Sequence, residues 1–468
     1  MSVVEPASGQ AWDIETPVAI VGAGACGLVA ALSLREAGVE CLVLEADKSP
    51  TGSTSLSSGM VPACGTRFQR DLGVDDDWRV MAADIQRKAH DGNTQDLVDA
   101  VCRESGPTIE WLADRHRVPF ELVTGFLYPG HSRMRMHAPP SRTGAELMAA
   151  LIAAARREGV EIATEARVVA LHAEPSGWVR GLRLRRPDGR HETVGCRALV
   201  LSCCGFGANP DMIARHIPEM VDASYFGHPG NRGEAVAFGQ ELGAGLRHMG
   251  AYQGHGSVAT PHGILITWAL IMEGGIQVNR LGLRFSDESQ GYSEQAVKVL
   301  AQPERVAWTI YDERIHRLGR DFEDYRNAEA AGAIKTAPTV AALAPLLRLP
   351  AETLGATIGA RNSGASDPWG RDFSGKPPLK APFYGVKVTG ALFHTQGGLA
   401  ISPAARVLRT DGSALPNLLV GGGAAEGLSG ETVDGYLSGN GLLSAVVLGR
   451  IAGRSAARLI GEPNQTAN

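Results

Sequence analysis

Short apolar runs recur along the chain, bounded by Gly, Pro, Ser and Asp, with longer stretches of helical spacing between them. The first run, Val18-Ala-Ile-Val21, breaks into glycines and predicts a strand buried on both faces. Residues 28–37, rich in Ala and Leu, predict a helix, and Cys41-Leu-Val-Leu44 a second buried strand. Residues 180–194 alternate around Pro187-Asp-Gly189, which predicts two strands and a tight turn with a solvated, charged face. Within 126–137 the order Arg133-Met-Arg135-Met136 reads as a strand with one basic face. Residues 321–330 are acidic and amphipathic, and residues 339–347 form a helical run that Pro345 should kink or split. Residues 361–378, dense in Gly, Ser, Asp and Pro, read as a loop. Strands alternating with helices predict an α/β protein.

Composition narrows the picture. A length of 468 residues suggests two large domains or about three smaller ones. With 44% hydrophobic and 20% charged residues the chain is globular, and a net charge of −5 lacks the electrostatic footprint of a nucleic-acid binder. The 58 glycines cluster beside apolar runs, as where backbone must approach a ligand closely. Seven cysteines, with no CxxC pair, argue against a zinc ribbon, an attached haem or a disulfide framework. No metal site is expected, and a reduced cytoplasmic protein is the simplest expectation. Residues 1–17 lack the basic and apolar stretches of a secretory signal. Two uncharged runs, 16–34 and 248–272, approach spanning length. The first is better explained by a nucleotide motif, and the second holds three His and several Gly, so no membrane anchor is expected.

The motif is Gly22-Ala-Gly24-Ala-Cys-Gly27, between the first strand and the first helix. Gly22 permits a tight turn, Gly24 lets the backbone reach a pyrophosphate, and Gly27 lets helix and strand pack closely. Glu45 closes the second strand, 18 residues after Gly27, where a carboxylate would accept from a ribose hydroxyl. Ala25, Cys26, Ala46 and Val168 join these as expected cofactor contacts. The loop 49–60 is built of small hydroxylated residues, with Ser53, Thr54, Ser58 and Gly59 expected to line a flat polar ring. Its place just after the acid favours a flavin dinucleotide over a nicotinamide one.

Further motifs carry a family resemblance over nearly the whole chain. Residues 196–210, containing Gly205, resemble the strand and turn that close the FAD domain of the fumarate reductase and succinate dehydrogenase flavoproteins. Phe393-His394-Thr-Gln-Gly-Gly398 resembles their HTxGG. Asn417-Leu-Leu-Val-Gly-Gly-Gly423 resembles the strand beside the ribityl chain, and Leu437-Ser438-Gly439-Asn-Gly-Leu442 the turn at the flavin pyrimidine edge. The resemblance implies a doubly wound, Rossmann-like FAD-binding domain at 15–255 and 380–468, interrupted by an inserted α+β cap at 256–379. It implies FAD as cofactor, with Gly205, Gly423, Ser438 and Leu442 among its contacts. A helix N-terminus after Gly439 would stabilise negative charge on reduced flavin. The loop at Ser53 lacks the histidine that carries covalent flavin in succinate dehydrogenases, so non-covalent FAD is expected. With no second redox module in the chain, electrons would pass to an external acceptor: oxygen, a quinone or a carrier.

The departures from the fumarate reductase pattern bear on chemistry. Seven residues after Phe285, where those enzymes carry a proton-donating Arg, stands Tyr292. Their Glu and Arg proton relay falls on Trp268 and Ile271, and their substrate-clamping Arg on Tyr436. Asp287-Glu-Ser-Gln-Gly-Tyr292 and Tyr436-Leu-Ser-Gly439 are instead similar to elements of the 3-ketosteroid Δ1-dehydrogenases. That resemblance implies a desaturase. Tyr292 would take the proton α to a ketone, and Tyr436 with the Gly439 N–H would hold the enolate oxygen. His394, Tyr128, Arg133, Arg135 and His255 are the expected substrate contacts, the basic groups serving an acid on the substrate. The expected substrate is a ketone, such as the cyclic keto acid 4-oxocyclohexanecarboxylate or a ketosteroid-like ring. A fumarate- or urocanate-type reductase is the alternative, and a non-catalytic flavin electron carrier the third reading.

Overall fold

The computed structural model describes residues 2–364 and 366–461. Residue 1, one position of the loop 361–378 and the end of the 380–468 segment lie outside them.

Among the described residues nine strands form the first sheet. Its centre is parallel: Ile14–Val21 lies between His191–Leu201 and Cys41–Leu44, with Glu161–Ala163 beyond and Ala414–Val420 on the far side of His191–Leu201. Val18, Ala19 and Ile20 have no exposed surface, as a two-face-buried strand requires. Burying Val18 or Ile20 stabilises the fold by about 1.5–3 kcal/mol each. The expected hairpin forms from Val179–Arg185 and the start of His191–Leu201, with Arg186 and Glu192 paired half-buried across its turn. Val4–Pro6 adds a parallel edge strand to Arg167–Ala173, so this layer begins before residue 15.

Helix Ala25–Glu36 packs along the C-terminal helix Asn440–Gly461. Glycines make the crossing close: a β-carbon on Gly453 would sit 2.5 Å from the Ala30 carbonyl oxygen, and one on Gly449 2.5 Å from that of Cys26. The crossing brings both helix N-termini to the carboxyl ends of the parallel strands, where ligands bind in open α/β sheets.

The second sheet, of seven strands among the described residues, is built on Phe383–Thr395, which pairs with Tyr252–Ala259, Val306–Asp312, Ile334–Ala337 and Ser224–Tyr225. It draws strands from both sides of 256–379, and its core includes Met60, Phe126 and Met136. Helix Tyr292–Leu300 lies on Tyr252–Ala259. Gly254 and Gly256 permit this, since a β-carbon on either would meet Ala296 or Gln295 at 2.8 Å. The acidic segment supplies helix Glu323–Ala330, and Val340–Leu347 runs on through Pro345, which falls in its last turn. Within 126–137 only Met136–Ala138 is a strand. The expected basic-faced strand is therefore corrected, because the Arg135 side chain is turned fully inward.

Among the described residues no helix is long and apolar enough to cross a membrane, and no group of three or more His, Cys, Asp or Glu could hold a metal ion.

Candidate active site

A cleft runs from Glu45, across the carboxyl ends of the parallel strands, to the underside of the second sheet. Its two halves share Ser53, Thr54, Cys204, Gly422, Gly423 and Ala445. In the first half the Glu45 carboxylate accepts the N–H groups of Ala23 (2.9 Å) and Asp47 (3.0 Å). Gly22 has φ +101°, and a β-carbon there would meet the Ser202 carbonyl oxygen at 2.6 Å. Gly24 is open toward the cleft, whereas a β-carbon on Gly27 would lie 1.9 Å from the Gly22 oxygen. Turn, open approach and helix packing thus fall to the three glycines in that order. Ala25, Cys26, Ala46, Val168 and Gly423 also line this half. Ser53 is tied to the facing loop, accepting the His228 N–H (3.0 Å) and the Asn231 amide (2.7 Å).

Ser58 and Leu442 line the second half. Gly59 and Gly205 stand behind the wall, where a β-carbon would strike Thr143 or Thr395. Ser438 is also behind it: its carbonyl meets Nε2 of His131 at 2.8 Å.

Tyr292 opens its helix and Tyr436 precedes the turn at Gly439, where φ of +84° and the nearness of Pro62 demand glycine. Sequence separates the two tyrosines widely, yet their rings meet edge to face at 5.9 Å. Trp268 and Ile271 complete one buried apolar cluster with them. Burial pushes the Tyr292 phenol up to about 12, against the lowering influence of Ser438, the Tyr436 hydroxyl and the Gly439 N–H. Burial raises Tyr436 further, and its hydroxyl donates to Oε1 of Gln253 at 3.0 Å. His255 stacks on Tyr292 at 4.7 Å, with Nδ1 accepting the Ser257 N–H, and His394 lies against Tyr436 at 5.8 Å. Desolvation lowers His255 to about 3 and His394 to about 4, so both rings are neutral near pH 7. Tyr128 lines the same cavity, its hydroxyl 3.1 Å from the Met60 sulfur.

Arg133 and Arg135 do not reach the cavity. Nε and Nη2 of Arg135 grip Asp76 at 2.7 and 2.9 Å, its Nη1 pairs with Asp84, and the side chain has no exposed surface. Arg133 donates to the Asp75 carbonyl at the surface. Among the described residues the cation in the cavity wall is Arg142, from the turn after Pro139-Pro140, which carries no motif. Gln253 was also missed, although it shares a strand face with His255 two positions on. Phe226 and Phe393, stacked at 4.9 Å, and Phe322-Glu323-Asp324 complete the wall.

The long cleft, the anchored Glu45 carboxylate, the glycine cradle and the N-terminus of helix Ala25–Glu36, where the Ala25 N–H donates to the Thr54 hydroxyl at 3.3 Å, fit FAD. The comparisons agree. The FAD binding domain family (FAD_binding_2) matches residues 17–441. The chain is 28% identical over 450 residues to the probable fumarate reductase Ifc3 of Shewanella frigidimarina, covering 95% of this chain and 75% of that protein. It is similar to the open conformation of a flavocytochrome c3 fumarate reductase (TM-score 0.80, 27% identity, 97% of this chain and 80% of that one). The fold also matches 3-ketosteroid-Δ4-(5α)-dehydrogenase of Rhodococcus jostii RHA1 (TM-score 0.76, 24% identity, 98% and 100% covered). The chain belongs to the FAD binding domain family, is similar to fumarate reductases, and is an FAD-dependent oxidoreductase.

Proposed function

We propose that this flavoprotein desaturates a ketone between its α and β carbons. The observation that carries the reading is the apolar cluster of Trp268, Ile271, Tyr292 and Tyr436, set at the positions where fumarate reductases would place a proton relay and two arginines. Bound FAD supplies the hydride acceptor that such an oxidation needs.

The chain's own groups supply the rest. An α proton leaves readily only if the enolate oxygen is stabilised, and a positioned donor contributes about 2.7–4 kcal/mol to that end. Tyr436 Oη and the Gly439 N–H are the two donors. Engagement of a substrate carbonyl draws the Tyr436 hydroxyl away from Gln253. Tyr292 takes the proton at its phenol oxygen. The Tyr292 phenol is un-ionised at neutral pH, so with the Tyr436 hydroxyl engaged by the substrate its base form depends on the Ser438 hydroxyl. Neutral His255 and His394 flank the pair without adding charge, and the second sheet closes the cavity over it. The FAD layer at 15–255 and 380–468 and the cap at 256–379 act in this reading as floor and lid. FAD is held without a covalent bond, and electrons leave to an external acceptor.

The second reading, reduction of an unsaturated carboxylate, draws on the fumarate reductase relative. A phenol at Tyr292 can donate a proton in that direction too. In that reading the carboxylate would have to be clamped by Arg142, the one Lys or Arg in the cavity wall among the described residues.

Replacement Tyr292→Phe tests the assignment. FAD content should be retained, and flavin reduction by the ketone should fall by about 10²- to 10⁴-fold. A rate near wild type would move the base elsewhere, with Tyr128 the next candidate.

A further inference from the structure

Arg142 is the one Lys or Arg in the wall of the reaction cavity among the described residues. Its guanidinium lies 5.1 Å from the centre of the Phe322 ring. Among the described residues no carboxylate comes within ion-pair distance of it and no acceptor within hydrogen-bonding distance. Most arginines near this site are spoken for: Arg135 by Asp76 and Asp84, Arg284 by Glu288 and Asp367, Arg371 by Glu288. Glu323 and Asp324 share the cavity rim but leave Arg142 unpaired, and burial raises the Asp324 carboxyl toward its neutral form.

The Arg142 charge acts inward. It lowers the Tyr128 phenol against the effect of burial, and Tyr128 in turn feels Tyr292. Ring contacts give the order: Arg142 lies over Phe322, Phe322 meets Phe126, Phe126 meets Tyr128, and Tyr128 packs on the Tyr292–Tyr436 cluster. A half-buried guanidinium without an ion-pair partner among the described residues, facing a cavity whose histidines are neutral, suits an anionic group on a ligand.

We infer that Arg142 is the specificity-determining residue for a carboxylate at the end of the substrate remote from the ketone, so that the substrate class is an oxo acid with the two groups at opposite ends of a ring. The assignment rests on the ketone reading for the oxo group. The carboxylate half stands on Arg142 alone.

The test measures binding rather than turnover. The FAD-loaded protein is titrated with cyclohexanecarboxylate and with cyclohexanecarboxamide, which lack the ketone, and flavin absorbance reports occupancy. Wild type should bind the carboxylate more tightly than the amide. In Arg142→Met the carboxylate-to-amide affinity ratio should fall by about 10- to 100-fold, the range of one hydrogen-bonded ion contact, and Arg142→Lys should restore part of it. An equal loss for both ligands, no loss for either, or failure of the wild type to bind the carboxylate would overturn the assignment. If the ratio falls as expected while no ketone reduces the flavin, the ketone reading fails and carboxylate recognition by Arg142 stands.

Discussion

Replacing Tyr436 by Phe removes one oxygen and keeps the packing. The ring is 4% exposed and meets Tyr292 and His394 through its edges and faces, contacts that Phe preserves. Two effects follow. Oε1 of Gln253 loses its donor, which costs about 1 kcal/mol of stability because Gln253 is only half-buried and water can replace the hydroxyl. The enolate site loses one of its two donors, which raises the barrier by about 2.7–4 kcal/mol. At 1.36 kcal/mol per decade, kcat/KM falls by about 100- to 900-fold. Because the hydroxyl serves Gln253 in the free protein and the substrate oxygen in the transition state, kcat should fall with kcat/KM. The assay is anaerobic rapid mixing of the FAD-loaded variant with 4-oxocyclohexanecarboxylate, followed by flavin bleaching. A variant with unchanged flavin spectrum and kcat/KM within threefold of wild type would refute the role of the hydroxyl.

Three other outcomes are expected. Since burial pushes the Tyr292 phenol up to about 12, its base form gains tenfold per pH unit below that value. The logarithm of the flavin reduction rate should then rise with a slope of about one between about pH 7 and 10; a flat profile would place the proton acceptor elsewhere. Acid precipitation should release all the yellow colour, because Ser53 occupies the loop position in question and the nearby His228 is turned to Asp47 at 2.8 Å; a coloured pellet would contradict this. Replacement Arg135→Met should cost about 3–5 kcal/mol in urea unfolding, since it strands two buried carboxylates; a loss under about 1 kcal/mol would contradict the pairing. Asp84 is held down to about 2 by Arg135 and Ser132 despite its burial, so this contribution is present above the ordinary carboxyl value of 3.8 and is lost as pH falls toward 2.

What could be read from the sequence follows the range of the interactions. Strand, glycine turn, helix and strand from Val18 to Leu44 lie within one short segment, and the three glycine roles follow from local sterics. Tyr292 and Tyr436 were reached through flanking motifs, and the structure brings together the four departing positions, 268, 271, 292 and 436. Arg135 was misjudged because its partners, Asp76 and Asp84, stand far upstream and only tertiary packing turns the side chain inward. Arg142 left no signal, since its significance lies in what does not surround it. The limits of the second sheet were blurred because Phe383–Thr395 serves several partners along one long strand, including Ser224–Tyr225.

The central claim is the direction of electron flow from a ketone rather than to an alkene acid. The most direct measurement is anaerobic titration of the oxidised, FAD-loaded protein with cyclic ketones, 4-oxocyclohexanecarboxylate and ketosteroids among them, beside the dithionite-reduced protein mixed with fumarate. The account predicts that at least one ketone bleaches the flavin and that fumarate leaves the reduced flavin unchanged. Rapid reoxidation by fumarate, with no bleaching by any ketone, would contradict it.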